Sequence, residues 1–256
     1  RVTGPGFTAR LADHHTIGLS LSGRAQTSCY RLPTTLRYEP AQNIKYGQPV
    51  LTNPVRIGAL AWSELALHYG YRQGGDDGGL AWAFGVSPKL LLGAQGGYAE
   101  VDDQFEYTRL AKDTVQFRTG DWAYAFTNDI VYADDPQSVK PRFNGRGIGL
   151  DLGFSWAMPA DDGDFEDYRW RAGVSLLDLG AVRFRQNAER HLLRFDTTLV
   201  VDVAAIQGAA DPEATVAELS QAFLLDSTRS LQGRSFSVGL PTALSAQFDV
   251  ALNQYF

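Results

Sequence analysis

Strict alternation of side-chain character is the feature that most constrains this chain. Ile148, Leu150, Leu152, Phe154 and Trp156 are apolar, while the residues between them, Gly149, Asp151, Gly153 and Ser155, are small or polar. A second run repeats the pattern, with Tyr168, Trp170, Ala172, Val174 and Leu176 set against Arg169, Arg171, Gly173 and Ser175. Successive side chains of an extended backbone point to opposite faces, so a period of two demands strands with one apolar and one polar face. Between the runs, Met158 to Asp167 holds Pro159 and the stretch Asp161, Asp162, Gly163, Asp164. Such a segment cannot continue a ladder, and it predicts an antiparallel hairpin.

Similar strands are expected at Phe7 to Leu11, Thr16 to Ser22, Ala61 to Tyr71, Leu80 to Val86, Leu90 to Tyr98 and Trp122 to Val131. Further ones fall at Ala181 to Arg185, Leu193 to Val201, Ser235 to Leu240 and Ala246 to Phe256, giving about twelve in all. Ser87, Pro88 and Lys89 suggest a tight turn, Gly74 to Gly79 a longer loop, and Glu39 to Pro54, with three prolines, an irregular excursion. One short helix is expected where Asp211 can cap, Pro212 suits the first turn, and Val216, Leu219, Ala222 and Phe223 share a side. It should lie outside the wall of strands. No repeat or low-complexity linker divides the chain, so residues 1–256 read as one domain.

Composition then removes several function classes. The net charge is −6, and the basic residues are almost all arginines scattered along the chain, so nucleic acid is not an expected partner. A single cysteine, Cys29, excludes an internal disulfide framework and multi-cysteine zinc sites; it reads as a small, half-buried side chain. Even the apolar segment from Leu192 to Ala210 is interrupted by Arg194, Asp196 and Asp202, which excludes a membrane-spanning helix. The sequence starts at Arg1 with neither Met nor a basic-then-apolar leader, so a signal peptide, if one existed, has been cleaved or left out.

Alternation alone leaves open which face is wet. A soluble barrel with an apolar ligand cavity and a membrane barrel with a polar interior share the same pattern. Two features favour the membrane. Trp and Tyr gather near strand ends, as in an aromatic girdle, and lysine, the usual guard of soluble sheet edges, occurs only at positions 45, 89, 112 and 140. The expected fold is therefore all-β, an antiparallel transmembrane β-barrel or part of a larger one, with one short helix.

Several segments carry a resemblance. GPGF at Gly4 to Phe7, IGLSLSGR at Ile17 to Arg24, AWSELALHYGY at Ala61 to Tyr71 and GVSPKLLLGAQGGY at Gly85 to Tyr98 are four of them. GRGIGLDLGF at Gly145 to Phe154, GVSLLDLGAVRF at Gly173 to Phe184 and the stretch from Leu240 complete the set. Together they resemble a family of outer-membrane barrel proteins from Bacteroidota known as a domain of unknown function, distantly similar to porin-like and fatty-acid-channel-like barrels. The resemblance implies an exported barrel in the cell outer membrane and no catalytic residues. Members are usually longer at both ends, so the chain is expected to be part of a larger barrel; a terminal aromatic such as Phe256 resembles an assembly signal.

No arrangement of residues supports an active site, a cofactor or a metal. Asp13, His14 and His15 read as a turn, because neighbours in a strand face opposite ways. His68 and His191 stand alone. The pairs Asp76/Asp77, Asp102/Asp103, Asp134/Asp135 and Asp161/Asp162 read as solvated turns, although at a cell surface they could gather divalent cations with lipopolysaccharide. Gly145, Gly147 and Gly149 precede a strand rather than a helix, so they read as packing residues and not as a phosphate loop. Ser63, Ser155 and Ser175 lie in no nucleophile-elbow context.

One constellation remains. Asp151, Arg169, Arg171, Asp178, Arg183 and Arg185, with Asp249 on the last strand, are expected to face the lumen if the apolar faces meet lipid. They would either hold the wall in register as ion pairs or line a selectivity zone. The function expected is solute passage or binding at the outer membrane; the alternatives are an architectural or anchoring subunit of an envelope complex and a soluble ligand-binding barrel. The expected partners are outer-membrane lipid, lipopolysaccharide and other envelope proteins.

Overall fold

The computed structural model describes residues 2–31, 44–74, 79–101, 104–128, 142–159, 168–209 and 212–251. Its strands are β1 (Val2–Ala12), β2 (His15–Tyr30), β3 (Pro49–Thr52), β4 (Val55–Gln73), β5 (Ala81–Val101), β6 (Phe105–Arg109), β7 (Thr114–Phe117) and β8 (Gly120–Thr127). They continue as β9 (Gly145–Pro159), β10 (Tyr168–Phe184), β11 (Ala188–Phe195), β12 (Leu199–Asp202), β13 (Leu231–Gly233), β14 (Phe236–Gly239) and β15 (Ala243–Val250). The fold is all-β, and every strand pairing among the described residues is antiparallel.

β5 organises the sheet. Its 21 residues span roughly 70 Å at about 3.3 Å per residue, long enough to serve two neighbourhoods. One side of β5 pairs with β4 along its length, extending through β2 to β1. On the other side, Ala81 to Gly93 pairs with β9, which leads to β10 and then to β14 and β15; Gly97 to Val101 pairs instead with β8, which leads to β11 and β13. The described strands do not close into a ring, and β1 and β15 form the outer edges of the long branch.

The side chains on the long branch are arranged inside out. Ladder pairing aligns Leu21, Leu65, Leu90 and Ile148 in one row across four strands, and Ile17, Tyr69, Val86, Leu152, Leu176 and Leu244 in another across six. This apolar face points outward: Ile148 is 73% exposed, Leu90 61% and Leu244 76%. Near the β4–β5 and β9–β10 loops the same face turns aromatic. Tyr71 meets Trp82 and Phe84, Trp82 meets Phe154, and Phe154 meets Trp156, with ring centroids 4.4–6.0 Å apart.

The short branch follows the opposite rule. β12, β7, β6 and β3 make a separate four-stranded sheet, and the helix Pro212–Leu224 packs beside β11 and β12. Leu193, Phe195, Val201 and Phe223 are buried between these elements with Phe117 and Trp122, while the Asp121–Arg194 ion pair (2.6 Å) faces outward. Apolar inside and charged outside is how a sheet meets water.

Several expectations are corrected. Ser87, Pro88 and Lys89 do not turn; β5 runs through them, because Pro88 falls where the β4–β5 ladder skips from Ala66↔Lys89 to Tyr69↔Val86 and no donor is needed. Leu193 to Val201 is not one strand but breaks at Asp196 to Thr198 to pass between sheets. Part of the Glu39 to Pro54 excursion is strand β3. A second helix, Val203–Gln207, capped by Asp202, adds to the one expected. Cys29 is exposed rather than half buried. All four paired-aspartate turns, most of the Met158 to Asp167 connection, and Asp211 and Phe256 lie outside the described residues.

One irregularity in β10 decides what faces inward. Leu176 pairs with Leu152 and Leu179 with Leu150, so Leu177 and Asp178 together oppose Asp151 in a β-bulge. Asp178 adopts φ 54 and Gly180 φ 153. A Cβ on Gly180 would collide with the Ile148 carbonyl oxygen, which only glycine avoids. Gly180→Ala should therefore cost about 2 kcal/mol or more of stability. Gly239→Ala, at an open position, should be neutral or stabilise by up to about 1 kcal/mol; denaturant titration of both variants in detergent reads the difference.

Candidate functional site

Five neighbouring strands each place one charged side chain on the inward face, on rungs offset by about two residues from strand to strand. These are Arg24 on β2, Glu64 on β4, Lys89 on β5, Asp151 on β9 and Asp178 on β10. Each occupies the inward register of its strand; for Asp178 this depends on the bulge, which turns it inward while Leu177 and Leu179 on either side remain outward and exposed.

The contacts are short and mutually dependent. Arg24 grips Asp178 with both arms, Nη1 to Oδ1 and Nη2 to Oδ2, each at 2.7 Å. Lys89 Nζ lies 2.9 Å from Asp178 Oδ1 and 2.6 Å from Asp151 Oδ2. Glu64 sits 3.5 Å from Arg24 and accepts hydrogen bonds from the Ser22 hydroxyl (2.8 Å) and the Trp62 indole N–H (3.1 Å). The Asp178 backbone N–H donates to Asp151 Oδ1 at 2.7 Å, and the Thr242 hydroxyl donates to the Asp178 carbonyl at 2.9 Å. Arg24 also stacks over Trp62, 4.8 Å from the ring centroid.

The cluster is largely removed from water: the side chains of Lys89 and Glu64 are 5% and 4% exposed. Two cations face three carboxylates, so Lys89 is the residue whose charge the others most need. On one side the concave face continues as His68, which bridges Ser20 and Ser87 at 2.8 Å each, and as a groove of about 390 Å3 lined by Gly85, Gly153, Ser155, Gly173, Ser175 and Gln247, among others. On the other side it is filled by Leu60, Trp62, Leu91, Val182, Phe184, Phe236 and Leu240. Phe184 fits there because Gly93 and Gly145 lack the Cβ that would meet its ring at 2.8 Å.

Of the expected lumen-facing residues, only Asp151 and Asp178 enter this cluster. Arg171 and Asp249 lie on the inward register near the strand ends, bonded to each other at 3.2 Å and both well exposed; Arg169 shares that register. Arg183 and Arg185 lie on the other face. The bulge inserts one residue after Leu176, and in a period-two strand a single insertion moves every later side chain across the sheet. Alternation does not single out Arg24, Glu64 and Lys89, although Arg24 is the lone Arg, Lys, Asp or Glu of β2 and the other two sit in the middle of strands whose further charges, Arg56, Arg72 and Glu100, lie near the ends. His15 of the expected turn donates to or accepts from the Tyr69 hydroxyl at 2.9 Å, and among the described residues no three metal-type ligands are gathered.

The arrangement has no nucleophile, no base aimed at an open cleft and no donor pair around a vacant centre; it is a clamp between strands. Fold and site together define an all-β antiparallel protein whose long branch turns rows of apolar side chains outward and holds an ion-paired cluster inside. The chain belongs to a family described as a family of unknown function, DUF5723, whose model matches residues 2–256. No curated protein and no solved structure matches it.

Removing one partner of a buried ion pair costs about 3–5 kcal/mol because the other charge is stranded. Lys89→Met leaves three carboxylates against Arg24 and should fall in that range. Asp178→Asn keeps a residue tolerant of positive φ and leaves two charges of each sign, so it should cost less. Acidification should partly restore Lys89→Met, since protonating a carboxylate relieves the excess; denaturant midpoints across pH read both effects.

Proposed function

We propose that the chain forms the lipid-embedded wall of an outer-membrane β-barrel, serving as an architectural or anchoring subunit of an envelope assembly. The observation that carries this reading is the reversed polarity of the long branch, with Ile148, Leu90 and Leu244 outward and Arg24, Lys89, Asp151 and Asp178 inward. A soluble barrel that captured an apolar ligand would turn its apolar face inward. The aromatic cluster at one end of the band has the place of a girdle at a membrane interface. Backbone groups cannot remain unpaired in hydrocarbon, so the reading requires a strand against the edges of β1 and β15 in the membrane.

The packed interior favours anchoring over free passage, since a solute following the concave face would meet the ion-paired cluster and then the Trp62 and Phe184 side chains. The separate sheet and the helix Pro212–Leu224, packed as in a water-soluble protein, offer contact surfaces beyond the lipid. Solute binding is the second reading, and the Gly- and Ser-lined groove at the aromatic end favours it.

Reconstitution of the native protein tests the reading. The expected result is insertion into vesicles with no flux of ions or small dyes, and recovery from the outer membrane in stoichiometric company. Flux through the purified protein alone would replace anchoring by passage, and failure to enter membranes would overturn both. Leu152→Arg, which puts a charge on the lipid face, should cost about 2–4 kcal/mol of folding into bilayers. Gly153→Ser, at a position with open space inward, should leave insertion unchanged.

A further inference from the structure

The outward face ends, away from the aromatic cluster, in three arginines. Arg146 on β9 and Arg183 on β10 are directly opposite in the ladder, and Arg185 follows where the chain leaves the strand. All three are exposed. With Phe143, Asn144 and Gln186 they line a cleft of about 470 Å3, and no carboxylate is among the described residues that line it. The cleft has a fixed floor, since the backbone N–H groups of Arg185 and Gln186 donate to the Asn144 carbonyl at 3.3 and 3.4 Å.

Several exposed arginines elsewhere, Arg10, Arg56, Arg118, Arg171 and Arg194 among them, have acidic partners. Arg146, Arg183 and Arg185 have no ion-pair partner among the described residues. Like charges directly opposite in a sheet repel. Guanidinium groups in this position are matched to one kind of occupant, an anion with several oxygens that accepts from more than one fork. The next outward residues along the same strands are apolar: Ile148 beyond Arg146, Leu179 beyond Ala181, with Leu90 and Leu92 on β5 alongside. Positive charge therefore stands at the border of the apolar band.

We propose that Arg146, Arg183 and Arg185 form a binding site for the phosphate of an anionic lipid headgroup, whose acyl chains lie along Ile148, Leu90 and Leu179. This rests on the membrane reading above. The phosphate cancels the repulsion of the opposed arginines, and the chains cover the adjoining apolar side chains, so a phosphate without chains gains only the first of these.

Native mass spectrometry of the detergent-extracted protein, titrated with phosphatidic acid and separately with inorganic phosphate, tests the site. Vesicle insertion is measured on the same samples. The unmodified protein should retain phosphatidic acid, and a triple variant carrying Arg146→Gln, Arg183→Gln and Arg185→Gln should bind it roughly tenfold or more weakly while inserting equally well. Equal retention of phosphatidic acid by the inserting triple variant would overturn the site. Binding of inorganic phosphate as tight as that of the lipid would overturn the lipid assignment. Failure of the unmodified protein to insert would overturn the membrane reading and this proposal with it. Single Arg183→Gln should give an intermediate loss, which a merely misfolded triple variant would not reproduce.

Discussion

The double grip of Arg24 and Lys89 on Asp178 is the interaction on which the long branch depends. An ammonium or guanidinium taken out of water is tolerated only where carboxylates and hydrogen-bond donors replace the hydration it has lost. Here those partners come from five strands, so the contacts exist only when all five are in register. Slipping one strand by a residue would turn its charge outward and its leucines inward. The buried cluster thereby selects one pairing among those that alternation alone would allow, and it does so beside the inward packing of Trp62, Leu91 and Phe184, on strands whose other apolar residues face outward.

The chain changes its surroundings along β5. Residues of the first part of β5 carry Phe84, Val86 and Leu90 outward in the inside-out branch, while its last residues join β8, beside which Trp122, Leu193 and Phe223 are packed inward. A strand of this length can carry two solvent regimes at once. The arginines 146, 183 and 185 lie near that change, as the aromatic side chains lie at the other end of the apolar band. The borders of the band are thus marked by side chains that tolerate both water and apolar surroundings.

Much of this was legible in the sequence. The two faces of β9 and of the first half of β10 follow directly from alternation, because each residue there advances the side chain to the opposite face without interruption. The Pro212 helix was legible from its apolar spacing. Alternation sends Arg183 and Arg185 to the wrong face because the bulge at Asp178 leaves no mark in composition; an aspartate followed two residues later by glycine is a weak signal of the positive φ found there. Pro88 suggests a turn because a missing donor usually ends a ladder, whereas here the ladder has a gap to receive it. Arg24, Glu64 and Lys89 are far apart in sequence, and only the ladder of β2, β4 and β5 makes them diagonal neighbours.

The central claim is that the apolar face of β9 meets lipid while its partner face is packed. Spin labels placed one at a time from Ile148 to Ala157 in the protein reconstituted into bilayers test this directly, through their collision rates with oxygen and with a water-soluble nickel complex. The account predicts a period of two, with labels at 148, 150, 152, 154 and 156 accessible to oxygen and shielded from nickel, and those between them shielded from oxygen. Nickel accessibility at 150 and 152 equal to that of an exposed loop would contradict it.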